Sequence, residues 1–380
     1  MTKQYLLIPG PTPLPEPVLQ AQAAQMITHR GGEFPKMLGN CFEILKKLYL
    51  TENPVYLIPS SGTGAMEAAI VNFLSPGDKI ISANIGDFGK RWVAQAQAFG
   101  IVVDEIKVEA GKAVDPAIIE QKLKADPTIK AVFFQHNETS TGVLNDVEKI
   151  AKIVAQTPAI SVMDGISGML TAPVKTDEWG LDVVLSGSQK AYMVPPGLAF
   201  ISVSKKAWKH NETAKCPRYY FDLKKYVKFH EKGETPTTTP VSLVYALSVA
   251  LKMLEAEGLE NIWARHKKLA TTMRKALKAM GLKLLADDSC ASMSVTAILP
   301  PDGVKEEDIR KIMKKKHGVI VSGGQGDLAG KIFRIGHMGY VDHTDMIMAL
   351  TALEMALNEL KVAVPQGAGV KVIQDAFGGN

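Results

Sequence analysis

Cysteine is scarce in this chain of 380 residues: Cys41, Cys216 and Cys290 are the whole set, far apart and without a CxxC pair. An odd, dispersed set excludes a disulfide framework and a thiolate metal cluster, so no metal is expected, and it fits a reducing cytoplasm. No apolar run approaches the roughly 20 residues of a membrane span. The opening MTKQYLLIPGP holds too short an apolar stretch for a signal peptide, and the expectation is a soluble cytoplasmic protein without a membrane partner. A dominant charge is missing too. The formal net charge is +5, and the one dense basic run, Lys314-Lys315-Lys316, stands alone on a predicted helix. That reads as a solvated face and not as a nucleic-acid surface. Internal repeats are absent.

What is present is globular: 46% of residues are hydrophobic and 22% charged. The length exceeds what one core usually serves, which favours two domains. Residues 6–17, LLIPGPTPLPEP, carry too many prolines for a helix or central strand and read as an extended arm. Predicted helices follow at 18–27 and 35–49. From Pro54 strands and helices alternate: strands at 54–60, 79–84, 101–106, 130–135 and 159–164, with helices at 65–74, from Lys90, 115–125 and 146–156. Such alternation predicts an α/β fold with a mostly parallel sheet, whose ligands sit beyond the carboxyl ends of the strands. A long helix from Ser242, carried past Gly258 to Met280, joins an α+β remainder with strands at 283–285, 293–300, 318–322 and 331–336 and helices at 305–316 and 344–361. The Gly-rich tail after Val364 is expected to be mobile. The expected division is an arm (1–17), a large domain (18–257) and a small C-terminal domain (258–380).

Lys190 organises the candidate chemistry. The apolar run DVVLS (182–186) ends in Gly187-Ser188, presents Gln189 and Lys190, then meets Pro195-Pro196-Gly197 before the run LAFISVS. The lysine therefore lies on a turn just past a buried strand. It either snorkels to the surface or is an amine held for Schiff-base chemistry. Ser61-Gly62-Thr63-Gly64 opens a helix, whose unpaired N–H groups suit a phosphate or are met by a simple cap. The loop lacks a P-loop lysine and GxGxxG spacing, which disfavours a nucleotide fold. Asp164 closes an apolar strand and needs a partner: the following turn, or the pyridine nitrogen if the crevice holds pyridoxal phosphate. Phe88, on a Gly-flanked turn, is a core residue or a stacking face. Thr139 sits at another strand end. Arg334, between apolar neighbours, has a buried ion-pair partner or awaits a substrate carboxylate. His29 and Arg30 contact an anion or are solvated.

With those residues assembled, the chain resembles the class V aminotransferases of pyridoxal-phosphate fold type I, within the serine–pyruvate/alanine–glyoxylate group. The motifs are PGPT (9–12), SSGTGAMEAAIVNFL (60–74), HNETSTGVL (136–144), VMDGISG (162–168), SGSQK (186–190), PPG (195–197) and FRIGHMG (333–339). The resemblance implies pyridoxal 5'-phosphate as cofactor, with Lys190 as its Schiff-base lysine and Asp164 on the pyridine nitrogen. It implies that Ser61, Gly62, Thr63 and Gln189 bind the phosphate, Phe88 stacks on the ring, and Thr139, in preference to Ser140, reaches the ring hydroxyl. Thr238 would approach the phosphate from the other subunit of a homodimer, and Arg334 would take the substrate carboxylate. Relatives often have Trp in place of Phe88, and some have Tyr in place of Thr235. The implied reaction is ping-pong transfer of an amino group from alanine, serine or a similar small amino acid to glyoxylate or pyruvate. The alternatives are an aspartate aminotransferase, a desulfurase or lyase of the same fold, or a catalytically silent dimeric binding protein. Desulfurases place a histidine before the lysine and a reactive cysteine on a mobile loop, whereas here Gln189 precedes Lys190 and Cys290 opens a β-rich stretch. Some relatives are labelled soluble hydrogenase subunits, but this chain has no clustered cysteines for such a centre.

Overall fold

The structure, a computed structural model, describes residues 3–378. Seven strands form the main sheet, in the order Val55–Ile58, Ala199–Val203, Val183–Gly187, Ile160–Asp164, Ala131–Gln135, Lys79–Asn84, Val102–Lys107. Ala199–Val203 runs antiparallel to both neighbours, and every other pairing is parallel. Six strands therefore point one way, and their carboxyl ends share one edge. The central strands Ala131–Gln135, Ile160–Asp164 and Val183–Gly187 are buried along their whole length and mostly apolar, because both faces are covered. Val132 and Phe134 enter one core with Met163, Val184 and Phe200, while Ala131 and Phe133 enter the opposite core with Val162, Leu185 and Ile201.

A second, antiparallel sheet has the order Lys283–Leu284, Val295–Leu299, Phe333–Gly336, Ser322–Gly323. It has its own core, in which helices Leu259–Ala279 and His343–Glu359 pack with Phe333 and Ile335. Met346, Leu350, Leu353 and Leu357 of the latter helix are buried on one face. The arm crosses to this unit. Tyr5–Leu6 pairs in parallel with Val319–Ile320, and Leu7 is buried in the second core.

The structure corrects several expectations. The helix running past Gly258 is two helices, Val241–Glu257 and Leu259–Ala279, because Gly258 takes φ +82°, a value that ends a right-handed helix and that glycine tolerates. The tail after Val364 is not loose: Ala368–Phe377 is a helix whose Ile373 is fully buried in the second core. Phe88 lies in the first turn of helix Asp87–Ala98, not on a turn before it. Residues 205–240 add helices Lys205–Thr213 and Leu223–His230. Among the described residues no helix is long and apolar enough to cross a membrane.

Candidate active site

The strand ends deliver the site. Gln135 pairs with Asp164, and Asp164 with Leu185, two residues before the Gly187 turn that leads to Lys190. Lys190 is 9% exposed, so the snorkelling reading fails. Its amine donates to the Pro9 carbonyl. Burial pushes its pKa down to about 8, with Arg334 and Arg91 acting in the same sense and Asp164 opposing them. Asp164 is 3% exposed, and its Oδ1 accepts the Ile166 N–H at 2.8 Å. It therefore caps the following turn, yet burial foremost, with Glu138 nearby, raises its carboxyl to about 7. A carboxyl at that value lacks a strong cationic partner.

At the start of helix Gly62–Phe73, Ser61 makes no side-chain cap. Gly64 and Ala65 donate to the Ser61 carbonyl, leaving the N–H groups of Gly62 and Thr63 unpaired among the described residues. A Cβ on Gly62 would stand 2.5 Å from the Ile166 side chain. Gln189 Oε1 is buried without a partner. Phe88 is half-buried and joins none of the apolar cores. Thr139 Oγ1 pairs with Ser167 Oγ at 2.6 Å, whereas Ser140 Oγ is committed to Glu138 and to the Asp87 N–H.

Arg334 is 4% exposed, and its partners are the carbonyls of Gly323 and Thr139 at 2.9 Å and Gln325 Oε1 at 3.1 Å. It pairs with no carboxylate among the described residues, and burial brings its pKa down to about 10. The ion-pair reading therefore fails. Beside it, a cleft of about 490 Å³ is lined by Asp87, Ser140, Gln325 and Asp327. Thr238 is not brought to this place. It is exposed, in a loop tied down by Thr235 on Thr239 and by Arg30 on Glu234 and the Thr235 carbonyl. Arg30 thus has a partner within the chain.

Sequence reasoning missed three contributors. The arm lies on the lysine: Thr12 Oγ1 donates to the Lys190 carbonyl at 3.0 Å, Thr12 N to the Gln189 carbonyl at 3.2 Å, and a Cβ on Gly10 would stand 2.6 Å from Lys190 Nζ. Glu138 is fully buried and accepts from the backbone of Phe88, Gly89 and Ser140. It holds the start of the Phe88 helix, and burial raises its carboxyl. Arg91 donates to Thr63 Oγ1 at 3.0 Å and lies 4.7 Å from the Phe88 ring centroid. The only sequence signal was the glycine between prolines at 9–11 and a glutamate among hydroxyls at 136–142.

The chain is similar to several known proteins. A "Soluble hydrogenase 42 kDa subunit" of Anabaena cylindrica is 46% identical over 99% of each chain. A serine–glyoxylate aminotransferase of Methylorubrum extorquens is 39% identical over 97% of this chain and 94% of its own. The solved pyridoxamine–pyruvate aminotransferase of Mesorhizobium loti superposes with a TM-score of 0.95 at 29% identity, over 100% of this chain and 98% of its own. The family description "Aminotransferase class-V" matches residues 4–335, and the chain belongs to that family.

Proposed function

We propose that this chain is a pyridoxal-phosphate-dependent transaminase, moving the amino group of a small amino acid such as alanine, serine or aspartate to glyoxylate or pyruvate. One observation carries the reading: the buried Lys190 amine feels both the buried Asp164 carboxyl and Arg334, which pairs with no carboxylate among the described residues. Members of the class-V family use pyridoxal phosphate, and the residues present fit it. The unpaired N–H groups of Gly62 and Thr63 and the Gln189 side-chain N–H would hold its phosphate, and Asp164 its ring nitrogen. When bound, that cofactor supplies an aldehyde for amines and a protonated ring that withdraws electrons from the substrate's α-carbon.

The chain's own groups do the rest. Lys190 Nζ, brought within reach of neutrality by burial, anchors the cofactor and moves the proton off the α-carbon. Asp164 holds a proton on the ring nitrogen by charge. Phe88 offers a flat face, Thr139 a hydroxyl, and Arg334 a planar fork for the substrate carboxylate. The same reading includes a homodimer, in which exposed Thr238 of one subunit approaches the phosphate site of the other, a cytoplasmic location, and division into an arm (1–17), a large domain (18–257) and a small domain (258–380). The hydrogenase name stays with the relative that bears it: the three cysteines here are all free, and among the described residues no cluster of His, Cys, Asp and Glu is placed to hold a metal. The test is a panel of single amino acids, each offered with glyoxylate or pyruvate and scored for keto acid released. At least one pair should react; no product from any pair overturns the reading.

A further inference from the structure

The arginines of this chain divide sharply by partner. Arg30, Arg218, Arg265 and Arg310 each pair with a carboxylate. Arg91, Arg274 and Arg334 do not, among the described residues, and Arg274 donates to the Ser292 carbonyl at 2.8 Å. The charges of the other two both act on Lys190. Arg334 has a role in the proposed reaction, but Arg91 has none.

Arg91 is held in place without being neutralised. One nitrogen donates to Thr63 Oγ1, and the guanidinium lies over the Phe88 ring. Gln95, one turn on, donates to the Thr63 carbonyl at 3.2 Å, which fixes helix Asp87–Ala98 against the start of helix Gly62–Phe73. Arg91 acts electrostatically on both Lys190 and Asp164, so its charge reaches the crevice. The other groups at this helix start are neutral: Ser61, Thr63, Gln189 and backbone N–H. A phosphate dianion left to neutral donors and a helix dipole lacks its strongest kind of partner, a forked guanidinium.

We infer that Arg91 is the cation of the phosphate site, reaching the cofactor's phosphate alongside the Thr63 hydroxyl that it already orients. This rests on the transaminase reading and deepens it. Because only the phosphate separates pyridoxal phosphate from pyridoxal, the two ligands isolate the interaction. The experiment titrates cofactor-free, full-length protein with each, by fluorescence quenching, for the wild type, Arg91→Gln and Arg91→Lys. Arg91→Gln should weaken pyridoxal phosphate roughly ten- to hundredfold and leave pyridoxal within about twofold. Arg91→Lys should recover part of the loss, keeping the charge without the fork. Inorganic phosphate should compete with pyridoxal phosphate for the wild type more strongly than for Arg91→Gln. Equal weakening of both ligands would mean that Arg91 only shapes the Phe88 helix, and would overturn the inference. Unchanged binding of both, with a raised KM for aspartate, would assign Arg91 to a donor's side-chain carboxylate and overturn it as well. A wild type that binds neither ligand would overturn the transaminase reading, and this inference with it.

Discussion

At the scale of the residue, burial of charge sets the behaviour of the site. Arg334 is satisfied by carbonyls and an amide, partners that leave its charge unneutralised. Arg334→Ala should therefore cost about 2–5 kcal/mol in substrate binding. It should appear as a raised KM for donor and acceptor alike, with Arg334→Lys in between; an unstable variant with unchanged KM would remove Arg334 from the site. Asp164 should respond differently. Asp164→Asn should bind the cofactor yet lose most turnover, since a neutral amide cannot hold a ring proton by charge. Its raised pKa also carries a stability signature. Between 3.8 and about 7 the folded chain keeps a proton at Asp164 that the unfolded chain has released. Stability of the cofactor-free protein should thus fall as pH rises through that window. The Tm of the wild type minus that of Asp164→Asn, followed from pH 4 to 7, should decline; a constant difference counts against the buried carboxyl.

At the scale of the element, what was readable in the sequence was whatever a segment decides for itself. Val132 and Phe134, alternating with Ala131 and Phe133, announce a strand buried on both faces. Lys190, Asp164 and the Ser61 turn could be placed because they follow such strands. The start of the Phe88 helix could not, since two glycines flank it and its cap comes from Glu138, distant in sequence. Arg91, in GKRW, looks like a solvated helix face until Thr63 is seen beside it. The tail helix was hidden by Gly367 and Gly369, although Gly369 packs on Met280, where a Cβ would come within 2.7 Å of its sulfur. The arm gives a prediction. Gly10 takes φ +123° against the lysine amine, so Gly10→Ala adds both backbone strain and a clash. It should lower kcat roughly ten- to hundredfold while Tm moves only a few degrees, because the segment around Gly10 can shift while Leu7 stays in the second core. A normal kcat would show that the arm's contact with Lys190 is incidental.

At the scale of the whole molecule, Thr238 is the residue that one chain leaves unexplained. It stands exposed on a loop that is otherwise well anchored. If it completes a second subunit's phosphate site, sedimentation equilibrium should give a dimer, and Thr238→Ala should weaken cofactor binding without changing the pH dependence set by Lys190. A monomer with full activity would rule out the shared site. The path of the arm has a further consequence, for the order in which the molecule can be made. Tyr5 and Leu6 leave the ribosome long before their seat, Val319–Ile320, which follows on the order of tens of seconds later at ordinary rates of synthesis. Through that interval the main sheet can assemble while Pro9 and Gly10 have no fixed position over Lys190. The Lys190 amine is therefore covered only after the main sheet's own strands have been made, and a nascent chain carries it open until the second sheet arrives to draw the arm across.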